Sequence, residues 1–303
     1  MEVLCARPAL TGLAYMAFQS SDPKRALGYY RDVHGWDDQF LTTDKKGTLT
    51  VALIRINDRQ WVELRPESAP KTDRLLGFGL EVADAEAMRL HLQSRNWPVP
   101  DQTTISATGN LSFVVADPDG HAVEFVQLQP KGWPRRTTRG GDGASRALST
   151  CLMHVGFSVF ALDKALTFYR DLLGCQEFWR GSQNDRTLAW VHLKLPEDHN
   201  YVELMLYDEP PSLEWLGVLN HFGLEVASIP ETMEEASRRI GTRPYPREVA
   251  YSIGKCRHRL ANVSDPDGTR AEFMERSTFD GAVTPSSTLP APSRPRGCNK
   301  RRF

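Results

Sequence analysis

Four side chains in the second half of the chain, His154, Glu203, His221 and Glu272, are of the types that hold first-row divalent metals. They can act together only if each sits on a strand whose polar face points the same way, because a strand sends successive side chains to opposite faces. The local patterns meet that condition. His154, Gly156 and Ser158 stand opposite Val155, Phe157 and Val159, and Tyr201, Glu203 and Met205 stand opposite Val202, Leu204 and Leu206. His221, Gly223 and Glu225 alternate with Phe222, Leu224 and Val226, and Arg270 and Glu272 alternate with Ala271 and Phe273. With helices covering the apolar faces, all four converge on one concave side. Two neutral imidazoles and one carboxylate make a facial set for a divalent metal, and the second carboxylate completes a four-ligand set. By the same alternation Trp190 and His192 face the ligand side and are expected to line the pocket.

A lone histidine on a strand is commonly structural, but this chain carries its own control. Gly77-Phe78-Gly79-Leu80-Glu81-Val82 is a near copy of His221 to Val226 with glycine in place of the histidine. Further matches keep the same order at an offset of roughly 140 residues, the mark of a tandem duplication. Leu27 to Asp32 returns as Leu166 to Asp171, Val62-Glu63-Leu64 as Val202-Glu203-Leu204, and Asp117-Pro118-Asp119-Gly120 as Asp265-Pro266-Asp267-Gly268. In the first copy Tyr15 replaces His154 and Gly77 replaces His221, whereas Glu63 and Glu124 keep the places of Glu203 and Glu272. The glutamates are therefore a repeat feature, and the paired histidines point to a metal site in the second half alone.

The elements that must position these residues follow from periodicity and punctuation. Residues 13–19 read as a strand, Asp22-Pro23 as a helix start, and Ala26, Leu27, Tyr30 and Val33 as a helical face stopped by Gly35. Strands at 48–56 and 60–65, a strand at 77–82, a helix over 85–95, and strands at 110–116 and 121–127 complete the first half. The second half repeats the order, with helices over 162–173 and 230–240 stopped by Gly174 and Gly241. This gives a first domain over 10–130, a Gly- and Arg-rich linker over 131–149, a second domain over 150–276 and a disordered Pro- and Ser-rich tail over 280–303. Both Asp-Pro-Asp-Gly stretches read as tight turns between strands rather than calcium loops.

At 303 residues and a formal net charge of −1, the chain offers no electrostatic footprint for nucleic acid or a membrane surface. The five cysteines lack Cys-x-x-Cys spacing, so neither a zinc knuckle nor a disulfide framework is indicated, and Cys175 has no base beside it in sequence. No signal peptide or apolar membrane span is read, and the expectation is a soluble, cytoplasmic protein.

The chain resembles the vicinal oxygen chelate superfamily, which groups type I glyoxalases, extradiol dioxygenases and bleomycin-resistance-type binding proteins. The marks that carry the resemblance are His154, the Phe168-Tyr169-Arg170-Asp171-Leu172-Leu173-Gly174 helix end, His221, and the Asp265 to Gly268 turn leading to Glu272. It implies an α+β fold of four βαβββ modules paired into two cupped mixed sheets, with one divalent ion (Fe, Mn, Ni, Co or Zn) in the second cup. The glyoxalase pattern carries over onto His154, Glu203, His221 and Glu272, and implies proton transfer by a metal-associated glutamate through an ene-diolate. The dioxygenase pattern uses His154, His221 and Glu272 with Fe(II), and adds a histidine before the second ligand strand, for which His199 is the candidate. It also wants a tyrosine where Asn262 stands, which puts catechol cleavage in doubt and leaves Asn262 as a pocket residue. Glyoxalase-like lyase or isomerase chemistry on a small substrate is the leading expectation, with Glu272, Glu203 and His199 as catalytic candidates. Fe(II) extradiol cleavage and non-catalytic ligand binding are the alternatives, and homo-oligomer formation is left open.

Overall fold

The computed structural model describes residues 6–37, 39–68, 74–135, 146–209, 219–241 and 249–293. The first half runs β1 (Leu10–Ser20), α1 (Pro23–Tyr29, continuing as a π-helical turn, Tyr30–His34), β2 (Gln39–Thr43), β3 (Leu49–Arg55) and β4 (Trp61–Pro66). Its second module is β5 (Leu75–Val82), α2 (Ala85–Gln93), β6 (Thr104–Ile105), β7 (Leu111–Ala116) and β8 (Ala122–Gln127). The second half repeats this as β9 (Leu152–Val159), α3 (Leu162–Leu166, continuing as a π-helical turn, Thr167–Leu172), β10 (Gln176–Gly181), β11 (Trp190–Lys194) and β12 (Tyr201–Leu206). It ends with β13 (His221–Val226), α4 (Ile229–Ile240), β14 (Tyr251–Ile253), β15 (His258–Ser264) and β16 (Arg270–Thr278). These are four βαβββ modules, as the resemblance implies.

Each half is one eight-stranded mixed sheet, ordered β2-β3-β4-β1-β5-β8-β7-β6 and β10-β11-β12-β9-β13-β16-β15-β14. Two modules meet at the antiparallel pair β1–β5 or β9–β13, and each of those strands runs parallel to the last strand of its own module. The outer strands β6 and β14 are exposed throughout. Short exposed strands carry no buried alternation, so a period-two reading does not find them. Gly35 and Gly174 end their helices at φ +80° and +78°, the left-handed conformation in which a side chain would clash.

A single apolar core joins the halves. Phe78 stacks on Phe157 at 5.0 Å, Trp97 meets Phe168 at 4.7 Å, and Phe18 meets Phe222 at 6.1 Å. Phe18, Phe78, Phe157, Phe168 and Phe222 are fully buried, and each such ring contributes about 1.5–3 kcal/mol by leaving water.

The repeated Asp-Pro-Asp-Gly turns do more than reverse the chain. Tyr169, from the repeated helix end of the second half, donates to Asp117 of the first half at 2.8 Å, and Tyr30 of the first half donates to Asp265 of the second at 3.3 Å. Asp119 accepts from the Phe160 amide and Asp267 from the Ser21 amide, both at 3.1 Å. The duplicated signatures thus clamp each half to the other, which no reading of either copy alone reveals.

Two boundary expectations change. Trp133, inside the expected linker, is buried and its carbonyl accepts from Asn110, while 136–145 lie outside the described residues. Residues 280–293 of the expected disordered tail are hydrogen-bonded: the Ser287 amide donates to the Arg180 carbonyl, the Leu188 amide to the Pro290 carbonyl, and the Thr284 hydroxyl to the Cys256 carbonyl. The edge of β10 offers unpaired backbone groups, and this segment satisfies them despite its composition. Residues 294–303 lie outside the described residues.

Candidate metal centre

His154, Glu203, His221 and Glu272 come from four adjacent strands, β9, β12, β13 and β16, and all four are buried. Strict alternation would leave Met153 on the opposite face from His154. A register shift, in which Gly223 pairs with His154 but Leu224 with Leu152, marks a β-bulge that sets both Met153 and His154 on the concave side. Room for the two imidazoles comes from glycines directly across the strand pair. A Cβ on Gly223 would lie 2.0 Å from the His154 ring, and a Cβ on Gly156 would lie 2.2 Å from the His221 ring. Each histidine thus occupies the space left by a glycine on the other histidine's strand.

The two Nε2 atoms are 3.1 Å apart. Glu272 Oε2 lies 3.4 Å from His154 Nε2 and 3.8 Å from His221 Nε2, and Glu203 Oε2 lies 3.6 and 3.7 Å from them. One ligand atom from each residue fits within 4.8 Å of all the others. An ion held by bonds of about 2.0–2.2 Å sets neighbouring ligand atoms about 3–3.5 Å apart, so the group needs only small adjustments to enclose one. The Leu219 carbonyl lies 2.8 Å from His221 Nδ1, and Nε2 is turned to the centre. His154 stacks on Tyr201 at 4.7 Å, and its buried Nδ1 has no hydrogen-bond partner among the described residues. Arg270 lies beside the centre, with Nη2 2.5 Å from His221 Nδ1 and Nη1 3.8 Å from Glu272.

Burial decides the charges here. It lowers the His221 pKa to about 4, helped by the neighbouring Arg270 guanidinium, so that imidazole is neutral. Burial raises the Glu203 carboxyl to about 7 against the pull of His154, with repulsion from Glu272 adding to the rise. Burial acts on Glu272 in the same direction but is outweighed by the close approach of His154 and His221, which holds it well below the usual carboxylate range. The centre therefore contains one carboxylate held well below the usual range and one poised near neutrality beside the neutral His221 imidazole, and its two imidazoles and two carboxylates are a donor set that fits a divalent cation.

The family model for the glyoxalase/bleomycin resistance protein/dioxygenase superfamily matches residues 12–125 and 152–273. The chain belongs to this superfamily. It is 28% identical over 137 residues to lactoylglutathione lyases of Neisseria meningitidis serogroups A and B, a match over 44% of this chain and 95% of each relative. Among solved structures it resembles the Mn(II)-bound glyoxalase from Novosphingobium aromaticivorans, with a TM-score of 0.67, 18% identity, and coverage of 94% of this chain and 89% of that one. It also resembles the 2,3-dioxygenase LapB from Pseudomonas sp. KL28, with a TM-score of 0.63, 17% identity and coverage of 94% and 98%. At these identities the structural likeness carries the fold alone.

In this superfamily member the concave side of the second sheet holds two neighbouring cavities. The inner one, about 190 Å³, is lined by Glu203 and Glu272 together with Trp190, His192 and Asn262, so the three expected wall residues stand beside the carboxylates. His199 is not among its walls; it lines an outer cavity of about 300 Å³. Alternation puts Arg270 on the ligand face, and the structure sets it against His221 and Glu272. Trp179, Met153 and the tail residues Val283 and Thr284, which line one or both cavities, carried no local signal.

The first cup has been refitted around the same two glutamates. Tyr15 donates a short hydrogen bond to Glu124, and Glu63 pairs with Arg65 at 2.6 Å. Tyr15 stacks on Trp61 at 5.0 Å, and Trp133 packs edge-on against Trp61 at 5.7 Å, filling the concavity. At Gly77, φ is +152° and a Cβ would meet the Ala122 carbonyl oxygen at 2.5 Å, so the backbone itself no longer accommodates a histidine. Among the described residues only the second cup has a group of His, Cys, Asp or Glu able to hold a metal. No helix among them is long and apolar enough to cross a membrane.

Proposed function

We propose that this protein is a divalent-metal enzyme that uses its second cup for glyoxalase-like lyase or isomerase chemistry on a small substrate with adjacent oxygens. The observation that carries the reading is the Glu203 carboxylate, which stands within 3.7 Å of both imidazoles and turns a three-residue facial set into His/Glu/His/Glu. The relatives named lactoylglutathione lyase support the same class. A divalent ion held by His154, Glu203, His221 and Glu272 would act as a Lewis acid toward adjacent substrate oxygens. We assign the proton carrier's role to Glu203, the carboxyl that burial holds near 7 in the metal-free centre and that lines the inner cavity. Glu272 remains ionised throughout. The Leu219 carbonyl and Arg270 flank Nδ1 of His221, and Trp190 lines the inner cavity.

The second reading, Fe(II) extradiol cleavage, is favoured by the facial set His154, His221 and Glu272. Against it, Asn262 occupies the inner wall where that chemistry wants a tyrosine, and His199 lines the outer cavity. Metal analysis of purified protein, wild type against His221→Ala, separates the readings. Stoichiometric Ni, Zn, Co or Mn with turnover of a hemithioacetal is the expected result. Stoichiometric Fe with oxygen uptake on a catechol would establish the second reading instead. Absence of bound metal under every reconstitution, with unchanged ligand binding in His221→Ala, would leave a binding protein and refute both.

A further inference from the structure

The outer cavity has a charge that the chain as a whole does not. The protein is nearly neutral, yet Lys194, His199, His258 and Arg276 line this space and no carboxylate does. Beneath those groups the walls are apolar and flat: Met153, Trp179, Tyr201 and Met274 are buried, and Phe178 stands half exposed at the mouth. The space shares Trp179, His192, Cys256 and Met274 with the inner cavity that holds Glu203 and Glu272. Arg276 is committed to Glu225, and His258 Nδ1 lies 2.8 Å from the Glu275 carbonyl. The Lys194 ammonium has no ion-pair partner among the described residues. A cation over an aromatic-lined cavity of about 300 Å³ suits a ligand with an apolar body and a negative end.

We infer that the substrate is an organic anion with a flat apolar body, its reacting oxygens in the inner cavity, its body against the apolar wall that includes Phe178, Tyr201 and Met274, and its anionic end on Lys194. This rests on the metal-enzyme reading of the same cup and adds the substrate class to it. Lys194 is a specificity-determining residue in this scheme: it attracts the anion and repels a cation, which discriminates more than it tightens.

Isothermal titration of the full-length protein with 1-naphthoate tests it, with 1-naphthalenemethanol and 1-naphthylmethylamine as neutral and cationic controls on the same ring. Each titration is run on protein stripped of metal and on protein reloaded with Mn²⁺, whose own binding is measured separately. The stripped protein is expected to bind naphthoate about tenfold tighter than the alcohol and the amine most weakly, with a preference that shrinks as salt rises. Lys194→Glu should abolish the preference and Lys194→Met should reduce it, while the alcohol changes by less than about twofold. Equal affinity for naphthoate and alcohol, or a preference that both variants retain, overturns the inference. A Lys194-dependent preference without Mn²⁺ binding would leave the anion site standing and remove the enzyme reading. Mn²⁺ binding without a charge preference would do the reverse.

Discussion

The two cups share a strand order and a pair of glutamates, and they differ in what stands across from that pair. In the second cup, Gly156 and Gly223 leave room for His221 and His154, and the glutamates face nitrogen donors. In the first, Ala17 pairs with Gly77 where Gly156 pairs with His221, Tyr15 caps Glu124, and Trp61 and Trp133 fill the hollow. Carboxylates withdrawn from water, both of the pair in the second cup and Glu63 in the first, need compensation, because an unpaired buried charge is costly. One cup meets that need with a phenol and an arginine, the other with a set suited to a metal. Keeping the glutamates while losing the histidines is therefore a stable end state rather than a half-broken site.

The comparison can be broken most forcefully at Trp133. Trp133→Ala should cost about 3–5 kcal/mol in denaturant unfolding by emptying the first cup, while metal stoichiometry stays unchanged because no donor set is released. Metal uptake by the opened first cup would refute the distinction drawn between the halves. Gly223→Ala places a methyl where the His154 ring lies, and should lower metal affinity about a hundredfold; unchanged Mn²⁺ binding by calorimetry would show that the ring has room to move. In the first cup, Ala17→Gly, at the place of Gly156, should confer no metal binding.

The paired aspartates sharpen the contrast through pH. Burial raises the Asp265 carboxyl to about 7 from an ordinary 3.8, with repulsion from Asp267 adding to it. Burial acts on Asp117 in the same direction, but its bond to His121 prevails and holds it below the ordinary value. A raised folded value means that the contribution of Asp265 is complete at pH below its unfolded value and is lost as pH rises through about 7. That of Asp117 is present above its unfolded value and is lost as pH falls through its depressed one. Unfolding at pH 5 and pH 8 should therefore differ by roughly 1–3 kcal/mol through Asp265, and Asp265→Asn should flatten this slope. A slope identical in wild type and variant would contradict the assignment. The smallest effects lie at their partners. Tyr169→Phe removes a 2.8 Å bond to ionised Asp117 and should cost about 1.5–2 kcal/mol, and Tyr30→Phe, which removes a 3.3 Å bond, should cost under about 1 kcal/mol. Equal costs would remove the asymmetry between the two clamps.

Much of this arrangement was legible in the chain itself. Period-two alternation placed Glu203, His221, Glu272, Trp190 and His192 on one face, since a strand's facing depends only on its own residues. The duplication made Tyr15 and Gly77 readable as substitutions for His154 and His221. Tertiary structure alone decided the rest, because the rest depends on residues far apart in sequence. The bulge that brings Met153 and His154 to the same side exists only in the register between β9 and β13. The spaces for the imidazoles belong to glycines on the opposite strand, and the Trp133 plug and the docked tail come from segments whose composition reads as linker and disorder. The Asp-Pro-Asp-Gly turns look locally complete, and only the other half of the molecule supplies the tyrosines that make them clamps.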